Sequence, residues 1–186
     1  EMTPSSTIDY SHEIKLYAND KAGKAGRTKW FIAEKNIIKT NRQYIDLWKV
    51  VVSSANAGGQ KRDNQLEIID DHSVFGRSRV ALGAFKTEQE AKNFYNYINS
   101  YIIKYAFLLT DEALTTLGLK VPDIGKYSNE NEYVDFSSDI DFQLKELIGL
   151  TDEEFGYVKQ RVNNLRKKEM ASYEHQNRHQ NNGPRC

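Results

Sequence analysis

Cysteine, proline and long apolar runs are all scarce in this chain of 186 residues. The single cysteine, Cys186, excludes a disulfide framework within the chain and a cysteine-based zinc site, and such usage is typical of a reducing cytosol. The longest apolar runs, Val50–Val52 and Ala106–Leu109, are far too short to cross a bilayer. No charged-then-apolar start resembles a signal peptide, so we expect a cytoplasmic protein without a membrane span.

The motifs that carry most enzyme chemistry are also missing. The sequence has no GxGxxG or Walker-type phosphate loop and no HExxH motif. His12 and His72 are isolated, and His175 and His179 lie in a polar final segment, so we expect none of them to bind a metal. No hydroxyl or thiol nucleophile has a recognisable base partner. We therefore expect a non-catalytic chain that holds no cofactor of its own.

One acidic cluster leaves a catalytic alternative open. Glu67, Asp70 and Asp71 are close in sequence, and two or three carboxylates can hold Mg²⁺ beside a scissile phosphate in nucleases. The lysine that such sites use does not follow, because His72 and Ser73 come next. We favour a turn in which an aspartate accepts hydrogen bonds from its own backbone, with a metal-dependent nuclease as the alternative.

The formal net charge of zero hides an uneven distribution. Residues 15–62 carry 11 Lys and Arg against three acidic residues, a net charge of +8. Residues 105–158 carry three Lys and Arg against 12 acidic residues, a net charge of −9. A segment this basic can hold a polyanion, and nucleic acid is the obvious one because each neutralised phosphate releases counterions. The alternative is that the basic and acidic segments face each other within one fold.

The hydrophobic pattern changes its period along the chain, which predicts an α+β fold. The first half contains β-branched and aromatic runs, and we expect it to form a mixed or antiparallel sheet. The predicted strands cover residues 8–17, 30–32, 37–38, 44–54, 66–69 and 80–85, with loops over 19–27, 55–64 and 72–79.

A capping box opens the helical half of the chain. Thr87 and Glu90 have the spacing at which each side chain bonds the other's backbone N–H, and helical spacing then continues to about Leu109. We expect the apolar face of this helix to be buried and its polar face to be exposed. That polar face holds Asn93, Asn96, Ser100 and Lys104.

Two further helices are predicted near the C-terminus. One covers residues 139–148 and stops at Gly149. The other follows a second capping box, formed by Thr151 and Glu154.

The same patterns predict one folded domain over residues 8–168. It is strand-rich over 8–86 and helix-rich over 87–168. A flexible lead-in over residues 1–7 precedes it, and the polar composition of residues 169–186 predicts a disordered tail.

Several segments follow one another in a recognisable order. They are YIDLWKVVVS from Tyr44, ALGAF from Ala81, TEQEA from Thr87, YINSYIIKYAFL from Tyr97, Val121-Pro122, and FQLKELIGLTDEEFGYVKQRV from Phe142. This order resembles the C-terminal target-recognition region of adenine-specific DNA methyltransferases and single-chain restriction–modification enzymes, and the resemblance covers about residues 28–165.

The resemblance implies a sequence-specific duplex-DNA recognition module. The chain departs from the family at Ser100, Tyr101 and Lys104, where Thr, Lys and Arg are usual, so this face has lost one positive charge. The Asn/Asp-Pro-Pro-Tyr/Phe motif of the methylating domain is absent, because no two prolines adjoin. S-adenosylmethionine and Mg²⁺ would therefore belong to the parent enzyme, whose methyltransferase or nuclease domains are the implied partners together with double-stranded DNA.

Two loops hold side chains suited to reading base edges, because arginine pairs with guanine and asparagine or glutamine with adenine. Other cations suit phosphate contacts, which position a protein without specifying sequence. For each single residue the alternative is an exposed polar position with no contact. The base-reading candidates are Ser54, Asn56, Gln60, Lys61, Arg62, His72, Arg77 and Arg79, and the phosphate candidates are Lys24, Arg27, Lys29 and Lys104.

A protein-interaction module is the remaining alternative. In that case the acidic helices would dock a basic partner or the rest of a larger enzyme. The recognition-module hypothesis likewise expects one helical face to be partly apolar where the methyltransferase body packs. Trp30 and Trp48 are expected in the core rather than as stacking platforms.

Overall fold

The structure, a computed structural model, describes residues 1–3, 5–19, 28–53, 66–109 and 122–164. Strands occupy the first half and helices the second, so the predicted α+β class is confirmed. The strands are β1 Glu13–Asn19, β2 Thr28–Glu34, β3 Trp48–Ser53, β4 Leu66–Ile69, β5 Ser73–Phe75 and β6 Arg79–Phe85. The helices are α1 Glu88–Asn99, α2 Tyr101–Leu108, α3 Ile140–Ile148 and α4 over residues 152–164, and short 3-10 turns occur at Lys35–Ile37 and Arg42–Tyr44.

The strands form two three-stranded sheets. Sheet A has the order β2-β1-β5 and sheet B the order β4-β3-β6. Strands β1 and β5 are parallel, while the other pairs are antiparallel. The predicted strand over 66–69 is confirmed, but the predicted strand at 37–38 is wrong, because Lys35–Ile37 form a 3-10 turn. The predicted loop over 72–79 is wrong in part, because β5 lies within it.

Aromatic and aliphatic side chains from both sheets form a common core. The register places Trp30 of β2 and Phe75 of β5 on either side of Tyr17 in β1. Val51 and Ile69 of sheet B are buried with Tyr17, and Trp30 and Phe75 pack against this cluster. The expected core position of Trp30 is therefore confirmed, and its ring centroid lies 4.8 Å from that of Tyr17.

A second group of rings joins α1 to sheet B. The rings of Phe85 in β6 and Phe94 in α1 have centroids 5.0 Å apart, and Tyr127 meets Phe94 edge-on at 4.7 Å. A Cβ atom added to Gly83 would lie 2.6 Å from the Phe85 ring and 3.0 Å from the Phe94 ring. The absence of a side chain at Gly83 therefore lets the two rings pack closely.

The capping box at the start of α1 is confirmed. The backbone N–H of Thr87 donates to the Glu90 carboxylate at 3.1 Å, and the Glu90 N–H donates to Thr87 Oγ1 at 3.2 Å. The single predicted helix is divided at Ser100, whose Oγ accepts from the N–H of Ile103 and starts α2.

The predicted exposed polar face of this helical segment is wrong at three of its four positions. Asn93 is 2 % exposed, and its Nδ2 donates to the carbonyl oxygen of Tyr127 at 2.7 Å and to Asn129 Oδ1 at 3.1 Å. Ser100 and Lys104 are also buried. Helical periodicity alone predicts that this polar face is exposed to solvent. In the structure, other parts of the chain pack against it.

Helix α3 begins and ends where the sequence predicts. Asp139 Oδ1 accepts from the N–H of Phe142 at 2.8 Å, and Gly149 ends the helix with a φ of 71°. The second capping box is confirmed by bonds of 2.8 Å and 3.2 Å between Thr151 and Glu154.

The chain divides into two compact units. Unit 1 comprises Glu1–Ala55, Gln65–Tyr97 and Ile124–Asn131, and includes both sheets. Unit 2 comprises Asn56–Asn64, Ile98–Asp123 and Glu132–Cys186. No helix in the described ranges has the length and hydropathy needed to cross a membrane.

Candidate nucleic-acid interface

Five of the predicted DNA-contacting residues fall within the described part of the chain, four in unit 1 and one in unit 2. They are Lys29, His72, Arg77, Arg79 and Lys104. The candidates Lys24, Arg27, Ser54, Asn56, Gln60, Lys61 and Arg62 lie outside the described residues.

His72 and Arg77 are exposed, as predicted, and flank β5. The His72 ring lies against the ring of Tyr10 with centroids 4.6 Å apart, and its Nδ1 is 3.1 Å from the carbonyl oxygen of Asp71. Arg77 occupies the turn between β5 and β6. Both side chains are therefore on the surface of unit 1.

The expected exposure of Arg79 and Lys104 is wrong. Arg79 is 8 % exposed, because its Nη2 donates to Thr28 Oγ1 at 2.8 Å and lies 3.4 Å from the hydroxyl of Tyr17. Its guanidinium carbon is 5.1 Å from the centroid of the Tyr17 ring. Lys104 is 5 % exposed within α2. Neither side chain is presented to a DNA duplex in this conformation.

Acidic neighbours pair with two cations of the basic segment. Lys29 lies 2.8 Å from the carboxylate of Glu1, and Lys15 bonds Asp70. Glu1 and Asp70 thus compensate two of the 11 positive charges counted over residues 15–62.

Strand register brings the ends of β3 and β4 that border residues 54–65 close to the start of β6, at one end of sheet B. Strand β3 ends at Ser53, which pairs with Arg79 at the start of β6. Leu66, the first residue of β4, pairs with the residue before Ser53. The strand ends that bound residues 54–65 therefore lie beside the turn that carries Arg77.

A cleft of about 1070 Å³ opens on unit 1 beside β6. Four cationic residues contribute to its described lining, and no Asp or Glu does. The lining residues are Leu16, Ile37, Ile38, Lys39, Thr40, Asn41, Tyr44, Ile45, Lys49, Val74, Phe75, Gly76, Arg77, Arg79, Val80, Ala81, Leu82, Gly83 and Ala84.

Three exposed cations form what we call the cationic rim: Lys39, Arg42 and Arg77. Lys39 and Arg77 line the cleft, and Arg42 Nη1 donates to the carbonyl oxygen of Ile38, another lining residue, at 3.1 Å. Sequence reasoning missed Lys39 and Arg42 because it selected the loops next to the strongest strand. The available signal was the run of three cations over residues 35–42.

Lys49 lines the same cleft but is buried, with 3 % exposure. Its Nζ donates to the carbonyl oxygens of Ile45 at 2.8 Å and Ser73 at 2.7 Å, and lies 3.4 Å from that of Asp70. Burial lowers the pKa of Lys49 to about 8, although nearby carboxylates oppose this change. Lys49 thus ties β3 to the β4–β5 turn.

The acidic cluster has the hydrogen-bonding pattern of a turn, as favoured from the sequence. Asp70 accepts from Lys15, from the Ser73 hydroxyl and from the N–H of His72, the last at 3.1 Å. Burial alone would raise the pKa of Asp70, but the bonds from Lys15 and Ser73 outweigh it and hold the pKa below 3.8. Glu67 accepts from the Tyr17 hydroxyl. Within the described ranges, no three His, Cys, Asp or Glu residues are grouped so that they could hold a metal.

Unit 2 exposes apolar side chains on α3. Phe142 is 60 % exposed, and Leu147 and Ile148 are more than half exposed. Spacings of five and one residues place these three side chains on different sides of the helix, so they do not form the single apolar face that was expected.

Comparison with protein-family models, with curated proteins and with solved structures finds no match to this chain.

Proposed function

We propose that this chain is a sequence-specific duplex-DNA recognition module of a restriction–modification or adenine methyltransferase enzyme. In this proposal the chain lacks methyl-transfer chemistry, and S-adenosylmethionine and Mg²⁺ act in the parent enzyme, in the cytoplasm. The observation that carries the proposal is the cationic rim, beside a cleft whose described lining has four cationic residues and no carboxylate. Such a surface attracts a polyanion even when the whole chain is neutral.

The proposal divides the contacts into two kinds. Lys39 and Arg42 contact phosphates and fix the position of the module on the duplex. Arg77, beside the strand ends that border residues 54–65, reaches base edges together with side chains of those residues, where Arg62 is the strongest guanine-reading candidate. His72 follows the opposite end of β4, where Ile69 pairs with Lys49, and reads a base separately from them. Arg79 and Lys104 take no direct part, because both are buried.

A matched pair of double variants tests the phosphate contacts. Duplexes selected from a random pool are titrated against the full chain by fluorescence anisotropy at several salt concentrations. We expect Lys39→Ala/Arg42→Ala to weaken cognate and scrambled duplexes alike and to reduce the salt slope by about 2. The control Lys86→Ala/Lys92→Ala removes two exposed lysines that do not line the cleft, and should leave the slope unchanged. If the two double variants lose the same affinity for duplexes, the proposed binding surface is wrong.

A single variant tests base reading. We expect Arg62→Ala to cost roughly 1–3 kcal/mol at one base position and to leave binding to scrambled duplexes nearly unchanged. A uniform loss on all duplexes would show that Arg62 contacts phosphate instead.

The exposed apolar residues of α3 favour a second candidate, a protein-interaction module. Here Phe142, Leu147 and Ile148 would pack against the methyltransferase or nuclease domains of the parent enzyme. The two candidates differ in one measurement, because an interaction module has no detectable affinity for any duplex at low salt.

A further inference from the structure

Strand β6 forms one edge of sheet B. It pairs with β3, and no second strand pairs with it in the described part of the chain. Within the described ranges, Val80–Ala84 make no backbone hydrogen bond outside the pairing with β3. Each of these five residues is at least partly exposed, whereas Val50–Val52 of β3 are completely buried. The second side of β6 therefore offers backbone N–H and C=O groups to a further strand.

The cleft runs along this side of β6. Successive side chains of a strand point to opposite faces, so a cleft over one face would be lined mainly by alternate residues. Val80–Ala84 are successive, and all five line the cleft. Val74 and Phe75 of β5, an edge strand of sheet A, also line it, whereas no described residue of the other edge strands, β2 and β4, does. The cleft thus brings together one edge strand from each sheet.

Two of the large apolar side chains that line the cleft are exposed to solvent. Ile37 is 53 % exposed and Tyr44 is 47 % exposed. A single exposed apolar residue needs no explanation, but two that share one concave surface are typical of a site that binds a partner. The cleft therefore provides apolar contacts as well as an open strand edge.

Exposed cations beside the cleft select the charge of such a partner. Lys39 Nζ donates to the carbonyl oxygen of Asn36 at 2.8 Å, and Arg42 Nη1 donates to that of Ile38 at 3.1 Å, so both of these acceptors are neutral. The described lining contains no Asp or Glu. A peptide with acidic side chains complements this surface, whereas a second copy of the same edge would bring like charges together.

We propose that β6 accepts a short, extended peptide as an added strand, and that this peptide alternates apolar with acidic residues. Its backbone pairs with the open side of β6, its apolar side chains pack against Ile37 and Tyr44, and its carboxylates lie near the cationic rim. The bulge at Leu82 interrupts the edge, so the paired segment is short. The inference does not depend on DNA binding, although a peptide and a duplex would compete for the rim.

Fluorescence anisotropy on the full chain tests the proposal. The probes are fluorescein-labelled peptides of about eight residues, the length of an ordinary strand, in which glutamate alternates with valine, leucine or phenylalanine. Each probe has two controls, one with lysine in place of glutamate and one with proline in place of the two central apolar residues. Proline stays apolar but has no backbone N–H to donate to a ladder.

We expect at least one acidic peptide to bind at a single site, and both of its controls to bind at least roughly ten-fold more weakly. If no acidic peptide binds, or if the proline control binds as tightly as its parent, strand addition is wrong. Equal binding of the lysine control would overturn the predicted charge of the partner.

Hydrogen exchange measured by mass spectrometry locates the added strand. The bound peptide should slow amide exchange in residues 80–84 and leave Leu66–Ile69, at the opposite edge of sheet B, unchanged. Ala81→Glu places a negative charge at an exposed lining position and should weaken binding by roughly ten-fold, whereas Ala81→Lys should not weaken it. Lys126→Glu, at an exposed position outside the lining, is the control. Slowed exchange at β4 instead of β6, or undiminished binding by folded Ala81→Glu, would overturn the assignment to this edge.

Discussion

The hydroxyl of Tyr17 lies 3.4 Å from Nη2 of Arg79 and donates its own proton to the carboxylate of Glu67. Burial, reinforced by the bond to Glu67, raises the pKa of Tyr17, so the phenol stays neutral at physiological pH. Because Tyr17 is in sheet A and the other two residues are in sheet B, one hydroxyl connects a cation and an anion across the two sheets.

Removal of this hydroxyl should destabilise unit 1. We expect Tyr17→Phe to lower the free energy of unfolding by about 1–3 kcal/mol, because Arg79 and Glu67 each lose a partner in a partly buried layer. Urea denaturation followed by circular dichroism measures the change. Tyr44→Phe alters a tyrosine that is 47 % exposed and should have little effect. If the two variants unfold at the same urea concentration, the hydrogen bonds of the Tyr17 hydroxyl with Arg79 and Glu67 contribute nothing to stability.

Lys49 should make stability depend on alkaline pH. Burial lowers its pKa from 10.5 in the unfolded chain to about 8 in the folded one, so the folded state releases this proton first. The contribution of Lys49 to the free energy of unfolding therefore rises between about pH 8 and pH 10.5, by up to about 3 kcal/mol. Lys49→Met should remove this rise from a series of urea titrations, whereas Lys86→Met, at an exposed position, should retain it. Parallel pH profiles for wild type and Lys49→Met would refute the prediction.

Asp141 should stabilise α2 from a different helix. Its two carboxylate oxygens accept from the N–H groups of Tyr101 and Ile102 at 3.0 Å and 3.1 Å, at the helix end where backbone donors lack partners. Asp141→Ala should lower the free energy of unfolding by roughly 1–2 kcal/mol, and Asp141→Asn, which keeps one acceptor, by less. Thermal unfolding of both, with Glu153→Ala as an exposed control, measures the difference. If Asp141→Ala leaves the free energy of unfolding unchanged, water satisfies the N–H groups of Tyr101 and Ile102 as well as Asp141 does.

Two glycine-to-alanine substitutions should change the free energy of unfolding in opposite directions. Gly83→Ala places a Cβ 2.6 Å from the Phe85 ring, so at least one ring must move, and we expect a cost of about 1–3 kcal/mol. Gly156 lies within α4, and nothing lies within 4 Å of the Cβ that Gly156→Ala would add. That variant should gain up to about 1 kcal/mol from helix propensity. Melting temperatures test both, and a stabilised Gly83→Ala would mean that the rings repack without cost.

Local signals were the ones that predicted structure well. The capping boxes at Thr87 and Thr151, and the stop at Gly149, depend on residues within one helical turn of each other. Strand β5 was missed because its three residues, Ser73–Phe75, lie in a polar stretch and are fixed by parallel pairing with β1, far away in sequence. A pairing with a strand so distant in sequence gives no signal in the local sequence pattern.

The candidate site was predictable only in part, for the same reason. Residue type identified Arg77 and Arg79 alike as base readers, although one is exposed and the other is enclosed by Tyr17 and Thr28. Burial of an arginine depends on contacts that residue type does not encode. The cleft joins segments from four parts of the chain, so its lining could not be derived from spacing.

The order of the strands has a consequence for how this protein can be divided. Sheet A takes its edge strand β5 from beyond β4, and sheet B takes its edge strand β6 from beyond β5. A truncation or proteolytic cut after β4 therefore removes one edge from each sheet and completes neither. Residues 13–75 span all of sheet A and residues 48–85 span all of sheet B, so these two segments overlap, and residues 13–85 are the shortest piece that contains both sheets.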